Sequence, residues 1–110
     1  MITKEKRIQW EQEEAKERKE EQAKHSKLCR EINLKIGKNL RDIREEKYKV
    51  RRDFCQALAK YGVDLTDESL RNYETKGISI PSDYLLASMK LLEIKEVNQL
   101  FPIDYFFKNL

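Results

Sequence analysis

Between Ile36 and Ile94 the large apolar side chains fall at helical spacing in short stripes, with breakers between them. Ile36, Leu40 and Ile43 form the first stripe, and Phe54, Cys55, Leu58 and Ala59 the second. Leu70 and Tyr73 form the third; Leu85, Met89 and Leu92 form the fourth. Recurrence every three to four residues is the period of an α-helix buried on one side. Gly62 separates the second stripe from the third, and Lys76-Gly77 with Pro81 separates the third from the fourth. Glycine suits the left-handed position just past a helix end, and proline cannot continue a helix interior. Such a chain folds as short helices around one small core. No strand pattern and no internal repeat is evident.

The remainder of the chain is different in kind. Residues 3–35 contain no Gly and no Pro and are rich in Glu, Lys, Gln, Arg and Ala, all strong helix formers. Glu14/Arg18, Glu20/Lys24 and Glu31/Lys35 stand four apart in the favourable order, each pair contributing about 0.2–0.5 kcal/mol. The like-charge pairs Glu13/Glu17 and Glu17/Glu21 subtract similar amounts. Ile8, Ala15 and Ala23 make no sustained seam, so a coiled coil is not expected. Leu28, Ile32 and Ile36 recur at four-residue spacing and dock the last turns of this segment on the domain. Trp10 reads as a lone exposed aromatic, with an anchor for a partner as the other reading.

These patterns divide the 110 residues into a charged helical arm (1–35), a folded domain (36–100) and an apolar C-terminal tail (101–110). The folded part, of roughly 60–75 residues, is near the lower size limit for independent stability. The first stripe ends near Glu46 or Lys47. Gly37 lies inside it and marks either a break between arm and domain or a close helix contact. A second helix is expected over roughly Val50–Tyr61, with Gly62 past its end. Thr66 is a good N-cap for a third helix reaching Thr75, with Asp67 and Glu68 placed to complement the helix dipole. A fourth begins at Pro81-Ser82-Asp83 with Ser82 as cap, and a short fifth covers about Ile94–Leu100. The tail either covers the domain or forms a subunit contact.

Charge is balanced overall, at a net +3 with a mean hydropathy of -0.84. From Lys38 to Lys60, however, eight basic residues stand against four acidic ones, a cluster that a phosphate-facing surface needs. A solvated helix face is the other explanation of it. Two cysteines, Cys29 and Cys55, and a single histidine form neither a disulfide framework nor a metal-ligand spacing, so no metal and no cofactor is expected. Nothing pairs a nucleophile with a base or cradles a phosphate, so an enzyme is not expected. No apolar run approaches a membrane span and the first residues lack an apolar signal core, so a cytoplasmic setting with no membrane partner is expected.

The late segment Leu70-Arg-Asn-Tyr-Glu74 followed by Pro81 and the leucine-rich Leu85–Leu92 resembles the Cro/C1-type (XRE) helix-turn-helix family of phage and bacterial transcriptional regulators. Ile36–Glu46 and Phe54-Cys55 join the match, which covers a little over half of the chain. The resemblance implies an all-α, compact, lambda-repressor-like helical bundle of about five helices. It implies sequence-specific binding of double-stranded DNA by a small prokaryotic or phage transcriptional regulator, a repressor. Arg44 matches the family's arginine late in the first helix, and Glu74 the glutamate ending the recognition helix, which implies a buried ion pair. Cys55 falls at a small-residue core position and is expected to be a packed thiol.

By the same resemblance, Thr66, Asp67, Glu68 and Asn72 fall on the exposed, base-reading face of the recognition helix. Arg51 falls where the family touches a phosphate, and Arg52, Arg71 and Lys76 suit backbone contacts. Such modules act as dimers, so a homodimer through the tail or the arm is expected. Three departures stand out. The stretch between Leu58 and Leu70 is longer than in compact members of the family. Asp67 and Glu68 are acidic at the tip that approaches the duplex. Lys76 stands where the family often has glycine. They leave a second reading open, an interaction module of this fold (antitoxin-like, or an accessory factor of a mobile element) without base-specific readout.

Overall fold

A computed structural model of the chain describes residues 4–109, with side-chain surroundings from Gln9 onward. The opening Met-Ile-Thr, the side chain of Ile8 and Leu110 therefore lie outside the described residues. The chain is all-α. Its helices are α1 (Lys4–Lys47), α2 (Arg51–Ala59), α3 (Asp67–Thr75), α4 (Ser82–Leu91) and α5 (Ile103–Lys108), with a 3-10 turn at Val97–Gln99. Among the described residues there is no strand.

The arm and the first domain helix are one rod. At ~1.5 Å per residue the 44 residues of α1 account for the molecule's long axis of 67 Å. Every residue from Gln9 to Lys27 is exposed, Trp10 included. The apolar stripe takes hold at Leu28 and Ile32, which are half-buried, and is complete at Ile36 and Leu40, which are buried. Gly37 is therefore not a break. A Cβ there would overlap the carbonyl oxygen of Tyr73 and lie 3.2 Å from Cα of Glu74. The missing side chain lets α1 and α3 approach backbone to backbone, and this close approach explains a glycine retained inside a helix.

The core gathers Leu40, Phe54, Leu58, Leu70, Tyr84 and Leu100, with Val63, Leu92 and Ile94 closing its edges. Each such side chain contributes about 1.5–3 kcal/mol by leaving water. α2 is two residues shorter at its C-terminal end than the pattern suggests. Its last turn tightens into a reverse turn instead, with Val63 N–H donating to the Leu58 carbonyl (3.2 Å) and Gly62 N–H to that of Ala59 (3.0 Å). Gly62 has φ +81, the left-handed geometry that this hydrogen-bond pattern requires. α4 is closed in the same way by Glu93 at φ 56, with Ile94 N–H donating to the Met89 carbonyl at 2.9 Å.

Three expectations change. Pro81, not Ser82, is the N-cap residue of α4, because its fixed φ and missing N–H suit the extended residue just outside a helix. Asp83 Oδ1 accepts the Tyr84 N–H at 2.8 Å. The inward face of α4 is Tyr84, Ala87 and Ser88, while Leu85 and Met89 are only half-buried. In place of a helix over 94–100 there is only the turn Val97–Gln99, closed by reciprocal bonds between Glu96 and Gln99. The tail then folds as α5 against α1, where the Tyr105 hydroxyl donates to Glu31 and Lys35 lies 4.4 Å from the Tyr105 ring centroid. Phe107 stays exposed. Among the described residues no helix is long and apolar enough to cross a membrane.

Candidate nucleic-acid interface

α3 has two dissimilar faces. Leu70 and Glu74 are buried, with Tyr73 half-buried beside them, its ring 5.4 Å from that of Tyr84. Asp67, Glu68, Arg71 and Thr75 form the exposed face. The helix begins at Thr66, whose hydroxyl oxygen accepts the Ser69 N–H at 3.1 Å, and it ends at Lys76 before Gly77 with φ +65. Gly77 is buried against α1, where a Cβ would lie 2.7 Å from Leu34 Cγ. Both ends of α3 are thus pinned, the first by a cap and the second by contact with α1.

What holds α3 against the rest is a buried charge cluster. Arg44 Nε donates to Glu74 Oε2 at 2.6 Å and its Nη2 to Oε1 at 3.3 Å. The third donor, Nη1, reaches the Tyr48 carbonyl at 2.7 Å. Arg51, at the start of α2, donates from Nε to Glu74 Oε1 at 2.9 Å. The side chains of Arg44 and Glu74 are 2% and 0% exposed. One carboxylate therefore ties α1, α2 and α3 together, and its two oxygens are shared by two guanidinium groups.

The sequence-derived site residues separate into groups. Thr66 uses its hydroxyl within the cap, donating to Ser69 Oγ at 3.0 Å. Asp67 and Glu68 are exposed in the first turn, and Arg71 and Lys76 are exposed further along. Arg52 opens onto the groove between α2 and α3, beside Gln56, Leu65 and Asp67. No described ion pair involves Arg52, Asp67, Glu68, Arg71 or Lys76, so their charges face solvent. Arg51 differs from them, because its Nε is engaged by Glu74 and its side chain is only 29% exposed. Asn72 departs from the exposed face. It is half-buried on the flank of α3, and its Oδ1 is sealed from solvent with no hydrogen-bond partner.

Two participants escaped the sequence pattern. Thr75 lies one turn beyond Arg71 on the same face, and its hydroxyl donates to the Arg71 carbonyl at 2.7 Å; helical spacing alone could have placed it. The Arg51–Glu74 bond joins residues 23 apart, and no local signal encodes it. Cys55 is half-buried beside the α2–α3 groove, and burial pushes its thiol pKa up, which disfavours the reactive thiolate.

No protein-family model, no curated protein and no solved structure matches the chain.

Proposed function

We propose that this protein binds double-stranded DNA through α3, as a small transcriptional regulator of the lambda-repressor-like helix-turn-helix kind. The observation that most supports this reading is the two-sidedness of α3. Its inner face is locked by Glu74 to Arg44 and Arg51, while Asp67, Glu68, Arg71 and Thr75 stand open on the outside. A rigid helix with a free polar face is what major-groove readout requires. Arg52 and Lys76 flank that face and suit phosphate contacts. A second copy joined through the tail or the arm would address paired half-sites.

Selection of bound sequences from a random duplex pool at two salt concentrations tests the proposal. A regulator enriches a motif, and its affinity falls steeply as salt rises. Failure to enrich, together with no retained binding near physiological salt, removes the reading.

One observation favours the other reading, an interaction module without base readout. Residues 51–76 hold five basic and five acidic side chains, so the helix-turn-helix unit itself has no net charge to attract a duplex. Under that reading the exposed part of α1 is the partner-binding element, and a protein lacking residues 4–27 retains its fold but loses its partner.

A further inference from the structure

We infer that α3 reads G·C base pairs, with Arg71 as the guanine-selecting residue. The inference rests on the duplex-binding reading above and adds the class of sequence bound. Three observations lead to it, all on the outer face of α3.

First, Asp67, Glu68 and Arg71 border one open depression on the protein surface, which Arg51 also lines. Asp67 and Arg71 are one helical turn apart and Glu68 is three residues from Arg71, so all three project to the same side. Second, none of the three is engaged by a described ion pair, so each is free to meet a base edge. Third, the one amide on α3, Asn72, is half-buried with Oδ1 turned away from solvent.

The donor and acceptor order of a G·C pair in the major groove fits that face. Guanine presents two acceptors, N7 and O6, and cytosine presents the N4 donor. A guanidinium is donor-only and planar, and it meets the guanine edge with two parallel bonds. Carboxylates are acceptor-only and can take the cytosine N4–H. Adenine is recognised differently, by an amide that donates to N7 and accepts from N6 at once. Asn72 cannot offer both atoms with its oxygen sealed inside. Thr75 Oγ1 gives its proton to the Arg71 carbonyl, which leaves its methyl and lone pairs outward and adds no competing donor. The outer face therefore offers the two-pronged donor that suits guanine and acceptors that suit cytosine, and it lacks the bidentate amide that pairs with adenine N6 and N7 together.

The acidic tip, which weakens phosphate contact, has a place in this scheme. Asp67 and Glu68 repel a backbone approached at random and are accommodated where a base amino group, here cytosine N4, meets them. They lower non-specific affinity and so raise the ratio of specific to non-specific binding.

The test is selection from a random duplex pool with the full chain, repeated with Arg71→Ala and Arg71→Lys. Arg71 is exposed, so neither change threatens the fold. The expected motif is dominated by G·C pairs. Arg71→Ala flattens the preference for guanine at one position by about tenfold or more, while Arg71→Lys, whose ammonium still donates to N7 or O6, keeps part of that preference and the salt dependence of the parent. An A·T-dominated motif, or a G·C motif unchanged by both variants, overturns the inference and leaves duplex binding intact. No binding of any duplex near physiological salt overturns the duplex-binding reading itself, and this inference with it.

Discussion

Arg44 and Glu74 lie 30 residues apart in the chain and meet inside the protein, Nε to Oε2 at 2.6 Å, with both side chains out of contact with water. Glu74 also accepts from Arg51. Removing the carboxylate leaves Arg51 without its counter-charge and leaves the buried Arg44 guanidinium with only the exposed Glu45 carboxylate, 3.8 Å from Nη2. Glu74→Ala is expected to destabilise the chain by about 3–5 kcal/mol in urea unfolding. The double change Arg44→Met with Glu74→Leu should be milder than Glu74→Ala alone, because an apolar pair of similar volume leaves the part-exposed Arg51 and the Tyr48 carbonyl to find water but no buried charge. A single-variant loss under ~1 kcal/mol would place the cluster outside the forces that hold α3.

Gly37→Ala sets two effects against each other. Helix propensity favours alanine by about 1 kcal/mol. The added Cβ would overlap the Tyr73 carbonyl oxygen, backbone that cannot swing aside. Overpacking of this kind costs about 1–3 kcal/mol. The net expectation is lower stability together with loosened α1–α3 packing. Far-UV circular dichroism of the folded variant should stay unchanged while its unfolding midpoint falls. A raised midpoint would mean that α1 and α3 are further apart than described.

Tyr84 adds to the fall in stability at alkaline pH. Burial chiefly, and then the nearby Glu74 carboxylate, push its hydroxyl pKa well above the ordinary value of 10.0. A raised pKa means that the folded state keeps a proton which the unfolded state releases. That stability is fully present below about pH 10, and it is lost as pH climbs through the higher folded value. Tyr84→Phe should flatten the fall in urea stability above pH 10, measured against the parent. Parallel curves for the two proteins would assign alkaline unfolding to other groups.

Arg52 and Lys76 have exposed, unpaired charges beside α3 and no part in the buried cluster. Changing either to alanine should lower affinity for every duplex alike and reduce the salt slope by about one unit. Arg51→Ala should differ from both, because it also withdraws a bond from Glu74. Its urea midpoint should drop, whereas those of the other two variants should stay in place.

How much of this was legible beforehand varied by element. α3 was bounded well, because a Thr66 cap and a Lys76-Gly77 stop are local signals and the backbone obeys both. The helical length of the arm followed from composition in the same way. Gly37 was ambiguous, because a glycine in a helical pattern looks the same whether it bends the chain or admits a neighbour; only the position of Tyr73 decides between them. Tyr84 does not read as core, because its hydroxyl and its place just after Pro81 resemble a surface turn, yet its ring stacks on Tyr73. α5 was hidden by Pro102, which reads as a breaker but here precedes a helix as its N-cap. At the site, the outward positions of Asp67, Glu68 and Arg71 follow from helical period. The sealed oxygen of Asn72 and the engagement of Arg51 by Glu74 depend on tertiary packing, which no run of residues spells out.

Methylation interference on a selected duplex addresses the placement of α3 most directly. Dimethyl sulfate modifies guanine N7, which lies in the major groove, and adenine N3, which lies in the minor groove. If the outer face of α3 enters the major groove, duplexes methylated at particular guanine N7 atoms are excluded from the bound fraction, and Arg71→Ala abolishes that exclusion. Interference confined to adenine N3, or binding that ignores methylation altogether, would contradict the account.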